Sequence, residues 1–188
     1  MAVFIIILGY SIGSIPTAYI AGRFIKGADI RLMGNGNVGA QNAFRHLGAA
    51  IGYSVFFMDT IKGALAILLA YAAGMSQTTV LLVGTAVVIG HNWPVFIGFR
   101  GGRGESPSIG VLSVLMPLPM LIAGILSIAT LIKTRDVIKA SIALFVPLPL
   151  LCWWFSLPGI LLLYSIWLPG IVGATHFIRT RHWLVRPA

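Results

Sequence analysis

An all-α, polytopic membrane helix bundle is the fold class this sequence predicts. Charged side chains make up 9% of the 188 residues, against about 25% in an ordinary soluble domain. Hydrophobic residues make up 58% and the mean hydropathy is +0.96, so lipid must solvate most of the surface. The apolar residues also fall in runs of ~20, the length a helix needs to cross ~30 Å of hydrocarbon. Only helices and closed barrels satisfy their own backbone there. The length suits one domain over 1–188.

The first run, 2–22, has no basic residue before it. It therefore lacks the n-region of a cleaved signal peptide and reads as a retained helix. The second, 48–73, holds Asp59 and Lys62 as its only charges. Three residues apart on one helix face, they are expected to form an internal ion pair. The third run is 78–99, and 106–132, 137–155 and 157–178 complete the set. Trp153 and Trp154 fit an aromatic belt at the far interface.

Charge decides how 106–132 is read. Twelve of the thirteen Lys/Arg lie in four clusters, 23–45, 100–103, 133–139 and 179–186. Basic residues collect on the cytoplasmic side of membrane proteins, so the clusters should share a face. One helix over 106–132 puts Lys133, Arg135 and Lys139 on the wrong side. Pro117 and Pro119 mark a bend, because proline removes a helix hydrogen bond and clashes with the preceding turn. Split there into about 108–116 and 119–132, the stretch enters and returns. The expectation is seven helical segments (six if 106–132 is a single span), N-terminus out and C-terminus in. The first half spans only ~14 Å and is a partial crossing.

Several chemistries drop out. The single Cys152 forms no internal disulfide, and no Cys/His group has zinc spacing. Four acids, Asp29, Asp59, Glu105 and Asp136, build no divalent-cation site, so neither metal nor cofactor is expected. The formal charge of +9 is a membrane-topology signal here rather than a nucleic-acid one.

Two stretches suit phosphate. Gly34-Asn35-Gly36-Asn37-Val38-Gly39-Ala40-Gln41-Asn42 leads to Arg45. Its glycines permit positive φ and inward-facing N–H groups, and its amides and Arg45 add donors. The second, Arg100-Gly101-Gly102-Arg103-Gly104, precedes a helix whose N-terminus favours anions. Neither is a Walker loop or a dinucleotide fingerprint. His91-Asn92-Trp93-Pro94 reads as a polar pair bonding neighbouring helices. The basic C-terminus, with His176, Arg179, Arg181, His182 and Arg186, reads as a topology anchor.

Taken in order, Gly13-Ser14-Ile15-Pro16, Gly27-Ala28-Asp29-Ile30-Arg31, the 34–42 stretch, Asp59-Thr60-Ile61-Lys62-Gly63, Gly90-His91-Asn92-Trp93-Pro94-Val95-Phe96 and Phe99-Arg100-Gly101-Gly102-Arg103-Gly104 resemble one family over nearly the whole chain. It is the bacterial membrane acyltransferases that acylate glycerol 3-phosphate using acyl phosphate. The resemblance implies a seven-helix enzyme of the inner (plasma) membrane with its active site at the cytoplasmic face. It also implies acyl phosphate and glycerol 3-phosphate as substrates, lysophosphatidic acid and phosphate as products, and membrane lipids as surroundings. On it, Asn35, Gly36, Asn37, Asn42, Arg45, Gly101, Gly102, Arg103 and Gly104 bind substrate phosphate. His176 orients or deprotonates the hydroxyl, unless a substrate phosphate is the base.

The chain departs from the family pattern at definite places. Asn35 stands for the usual Ser, Gln41 for Thr and Arg103 for Lys. Glu105-Ser106-Pro107-Ser108 replaces a Val/Ala/Thr run. A Ser-bearing segment survives as Ala140-Ser141, and Arg179 takes the place of an Asn three residues after His176. These departures leave two alternatives open, a non-catalytic lipid- or phosphate-binding descendant and an acyltransferase for another polyol phosphate. The His–Asp mechanism of soluble and peripheral glycerophosphate acyltransferases is excluded. The residues five after His46, His91, His176 and His182 are Ile51, Phe96, Arg181 and Pro187.

Overall fold

Among the described residues, six helical stretches, Ala2–Lys26, Ala49–Ala72, Gln77–Ile97, Pro117–Thr134, Val137–Trp154 and Gly159–Thr180, are long and apolar enough to cross a membrane. The computed structural model describes residues 1–184. Arg186, and the side chains of Arg181 and His182, lie outside the described set. No strand occurs among the described residues.

Among the described residues there are ten α-helices: α1 (Ala2–Gly13), α2 (Thr17–Lys26), α3 (Ala40–His46), α4 (Ala49–Ala72), α5 (Gln77–Asn92), α6 (Glu105–Leu115), α7 (Pro117–Thr134), α8 (Val137–Phe145), α9 (Leu148–Trp154) and α10 (Gly159–Leu184). Several of the expected runs are subdivided into shorter helices, and proline is the reason. Pro16 breaks the first run after Ser14, and Pro147 breaks 137–155 between α8 and α9. The third run stops at Asn92 and continues as a 3-10 turn, Val95–Ile97, after Pro94. The short α3 is an addition, formed where the Gly/Asn stretch ends.

The bend in 106–132 falls at Met116, whose φ of −144° and ψ of 67° end α6 and start α7. Its geometry is a return. Glu105, at the start of α6, meets Ser141 of α8, and Ser127 of α7 donates to the Ala140 carbonyl at 2.8 Å. The rise of α6, ~16 Å, matches the rise from Pro117 to Ser127 at ~1.5 Å per residue. Both ends of the stretch therefore lie at one end of the bundle.

With lipid as solvent, helices gain little by hiding apolar surface and associate through close packing. Small residues make that possible between α4 and α6. A methyl on Gly63 would sit 2.2 Å from the Pro107 carbonyl oxygen, and one on Gly110 would sit 1.9 Å from that of Thr60. The core around them includes Ile67, Val87, Val88, Leu112, Met116, Leu148 and Leu168. Large side chains such as Ile122, Ile125, Leu163 and Trp167 point outward, as a lipid-facing surface requires.

One polar knot lies inside this core. Lys62 Nζ is 2.7 Å from Asp59 Oδ1, and Thr17 Oγ1 donates to the same oxygen at 2.9 Å. Lys62 also donates to the Ile15 carbonyl at 2.9 Å, one of the groups freed where Pro16 interrupts the helix. The expected ion pair is present. It pins the α1–α2 break to α4.

Candidate active site

The site grows from the end of α5. Asn92 is fully buried. Its side-chain amide donates to Thr175 Oγ1 on α10 at 3.1 Å, and its carbonyl accepts the Gly101 N–H at 3.2 Å. The preceding His91 carbonyl accepts the Gly102 N–H at 3.0 Å. Its ring lies against that loop, since a methyl on Gly102 would be 1.9 Å from His91 Nε2. On its other side His91 Nδ1 is 3.7 Å from Asp59 Oδ1. The polar knot, the α5 terminus and the Gly loop are thus one stack. The expected bonding between helices is present for Asn92, while the His91 ring packs between Asp59 and the Gly loop.

This arrangement revises how the second Gly stretch can hold an anion. The N–H groups of Gly101 and Gly102 are already donated to Asn92 and His91, so these two residues are scaffold rather than phosphate donors. Among the described residues, the N–H groups of Arg103, Gly104, Glu105 and Ser106 have no backbone acceptor. They lead into the first turn of α6, where unsatisfied N–H groups and the helix dipole favour negative charge. Gly104, at φ +87° and with no room for a side chain beside Asn92 and Val88, lets the chain turn into that helix.

Asn42 is revised in the same way. Its buried amide nitrogen lies 3.3, 3.0 and 3.0 Å from the carbonyl oxygens of Ile30, Met33 and Asn37. With two hydrogens for three acceptors it has nothing left for phosphate. It braces the first stretch. Asn35 Oδ1 accepts the Asn37 N–H at 3.1 Å, a local turn of the kind Asn favours. Gly36 adopts φ +66°, and Asn37 Oδ1 is buried without a partner among the described residues. Arg45 is exposed in the last turn of α3. The two stretches meet where the Val38 N–H donates to the Gly101 carbonyl at 3.3 Å, and Arg31 Nη1 reaches the Ile97 carbonyl at 3.3 Å.

The last helix closes the site. Arg103 Nη1 is 2.9 Å from His176 Nδ1. Arg179, one turn on, donates to the carbonyls of Gly101 and Asn92. A guanidinium is always a donor, so His176 Nδ1 must accept, and the ring proton sits on Nε2. His176 therefore presents an N–H to any ligand. Burial lowers the pKa of Arg103, with Glu105 opposing. Burial raises that of Glu105, opposed by its hydrogen bond to Ser141 and by Arg103.

Residues from three of the four basic clusters, Arg31, Arg103 and Arg179, thus take part in one contact network, which Ser141 of α8 joins through Glu105. Arg31, the Gly loop with Arg103, the α7–α8 return and α10 meet at one end of the bundle. Sequence reasoning did not single out Thr17 or Thr175. Their signal is weak, a lone hydroxyl within an apolar run, and only the fold sets Thr17 beside Asp59 and Thr175 beside Asn92.

Fold and site together define an integral membrane protein with a cationic, N–H-rich cluster at one end. Residues 3–186 match the family described as Glycerol-3-phosphate acyltransferase, and the chain belongs to it. Glycerol-3-phosphate acyltransferase 4 of Dehalococcoides mccartyi is 50% identical over 96% of this chain and 98% of its own. Glycerol-3-phosphate acyltransferase 1 of the same organism is 41% identical over 97% and 91%. Among solved structures, the glycerol 3-phosphate form of PlsY (YgiH), an integral membrane glycerol 3-phosphate acyltransferase, superimposes with a TM-score of 0.86. It is 31% identical, over 97% of this chain and 92% of that one. Its lysophosphatidic acid form gives 0.84 at 30% identity, over 97% and 91%.

Proposed function

We propose that this chain transfers a fatty acyl group from acyl phosphate to a hydroxyl of glycerol 3-phosphate, giving lysophosphatidic acid and phosphate for phospholipid synthesis. The observation that carries the reading is the meeting of Arg103, His176 and the N–H run 103–106, which has no backbone acceptor among the described residues, at the mouth of α6, in a chain of this family. Acyl phosphate is an activated mixed anhydride, so the protein's tasks are to gather two anions and to place a hydroxyl at the acyl carbon. Backbone N–H groups and guanidinium charge, set in place before the reaction, stabilise the negative charge that develops on oxygen. His176 Nε2–H serves as a fixed donor in that set. Asn35, Asn37 and Arg45 add phosphate donors from the first stretch, which joins the second through Val38 and the Gly101 carbonyl.

We place the site at the cytoplasmic face of the plasma membrane, N-terminus out and C-terminus in. The shared face of the basic clusters supports this orientation, and a reporter fused after Arg135 tests it by being cytoplasmic. The activity test is the purified chain in detergent with acyl phosphate and labelled glycerol 3-phosphate. Lysophosphatidic acid forms, and both Arg45→Ala and His176→Ala abolish it. Binding without product at any substrate concentration identifies a non-catalytic descendant. Faster acylation of another polyol phosphate identifies an altered acceptor.

A further inference from the structure

One basic cluster stands outside the contact network of the site. Lys133 lies in the last turn of α7, Arg135 ends that helix, and Lys139 lies in the first turn of α8. All three are exposed. Among the described residues, Lys133 and Arg135 meet no acid. The acid beside them, Asp136, is occupied as the cap of α8, where its Oδ1 accepts the N–H groups of Ile138 and Lys139 at 2.9 and 3.3 Å. Its other oxygen is 3.9 Å from Lys139 Nζ. With these side chains 40% and 63% exposed, water screens that pair. Three cations against one carboxylate leave the turn net positive.

The position of the cluster decides what it can meet. Ile125, Ile128 and Ile132 on α7, and Ile138 and Ile142 on α8, are exposed. Spacings of three and four residues put each set on one helix face, and in this bundle an exposed apolar face is a lipid-facing one. Both stripes give out at the turn, beside Lys133 and Lys139. Hydrocarbon ends and headgroups begin at that depth. A Lys stem can lie along the apolar stripe while its ammonium reaches the headgroup layer, and the Arg135 guanidinium can fork onto phosphate oxygens. A soluble anion would use the cations and leave the stripes unused. A zwitterionic lipid would use the stripes and bring no net negative charge. A phospholipid with an anionic headgroup matches both.

We propose that the α7–α8 turn is a docking site for an anionic phospholipid, its headgroup held by Lys133, Arg135 and Lys139 and its chains along the isoleucine stripes of α7 and α8. The turn adjoins the candidate active site. Ser141, two residues beyond Lys139, meets Glu105 at the start of α6, and Ser127 on α7 donates to the Ala140 carbonyl. A lipid docked here braces α7 and α8 where they reach α6. The inference does not need the acyl-transfer reading, and its test measures binding rather than turnover.

The test is equilibrium binding of tail-labelled phosphatidylglycerol to the full chain in a neutral detergent, with phosphatidylcholine of the same chains as the comparison. Wild type should prefer phosphatidylglycerol, and added salt should weaken the preference. A cation near an anionic headgroup strengthens binding ~5-fold. Lys133→Gln, Arg135→Gln and Lys139→Gln combined should therefore weaken phosphatidylglycerol binding ~10²-fold and leave phosphatidylcholine binding unchanged. Arg135→Gln alone should weaken it ~5-fold. Lys26→Gln, which removes an exposed cation at the end of α2, should leave it unchanged. All variants should keep the wild-type unfolding midpoint in lipid-free detergent; if the triple variant fails to fold, Arg135→Gln against Lys26→Gln decides. Equal binding of the two lipids by wild type overturns the proposal. So does wild-type phosphatidylglycerol binding by Arg135→Gln, or an equal loss in Lys26→Gln. Displacement of phosphatidylglycerol by inorganic phosphate, beyond that by chloride at matched ionic strength, also overturns it, because the turn would then be a free-anion site.

Discussion

Replacing Gly110 by Ala tests the link between helix packing and the site. A methyl there would lie 1.9 Å from the Thr60 carbonyl oxygen and 2.8 Å from the Ala64 nitrogen. Carbon and oxygen rest at ~3.3 Å, so α4 and α6 must part by roughly 1.4 Å. The obstacle is backbone and cannot swing aside. Overpacking typically costs about 1–3 kcal/mol, and a rigid obstacle places this site at the top of that range. Better helix propensity returns up to about 1 kcal/mol. The net loss of about 2 kcal/mol should lower the unfolding midpoint by roughly 4–8 °C. The same displacement moves the α6 N-terminus, and a ~1 Å misplacement can cost ~10²-fold in rate. The assay is thermal unfolding in detergent beside lysophosphatidic acid formation. Gly124→Ala is the control, because a methyl there meets nothing within 4 Å. It should match or exceed wild type in stability. A Gly110→Ala variant with wild-type midpoint and turnover would refute the reasoning, since α4 and α6 would then not cross as closely as described.

Other outcomes follow from the same geometry. Lys62→Met strands the Asp59 carboxylate in the core and should cost about 3–5 kcal/mol; adding Asp59→Asn should recover much of it, as paired unfolding curves would show. Arg179→Ala releases the carbonyls of Gly101 and Asn92 and should reduce kcat/KM ~30-fold, the equivalent of about 2 kcal/mol. Arg179→Lys should not restore it, because a point charge cannot replace the fork. Asp29 is held at a pKa of about 2, chiefly by its hydrogen bond to Arg31. A depressed carboxylate stabilises the fold above its unfolded pKa, and that contribution disappears as pH falls through the folded value. Asp29→Asn should therefore lower the unfolding midpoint at neutral pH, by an amount equivalent to about 1 kcal/mol after solvent screening. The two proteins should converge as pH approaches 2.

Much of the architecture was legible because its causes are local. Runs of apolar residues mark the spans wherever they occur, and Pro117 announces a bend to its own neighbours. The ion pair of Asp59 and Lys62 needs only a spacing of three on one helix. The breaks at Pro16 and Pro147 were equally local, and were passed over because the apolar runs continue through them. The site was legible as composition and not as geometry. Glycines, amides and arginines pointed to phosphate. Which of their donors remain free depends on partners tens of residues away. Gly101 and Gly102 give their N–H groups to Asn92 and His91, and Asn42 spends its amide on three carbonyls of its own loop.

The sequence by itself determined the solvent, the helical class, the in-and-out bend at Pro117 and the family, since hydropathy, proline placement and motif order are written along the chain. Only the tertiary structure decided which proton each group carries. Arg103 and His176, 73 residues apart, fix the imidazole tautomer by touching. Glu105 and Ser141, 36 apart, turn an acid that departs from the family pattern into a hydrogen-bonded one. A donor or acceptor has a meaning only beside its partner, and helix packing, not sequence neighbourhood, supplies these partners.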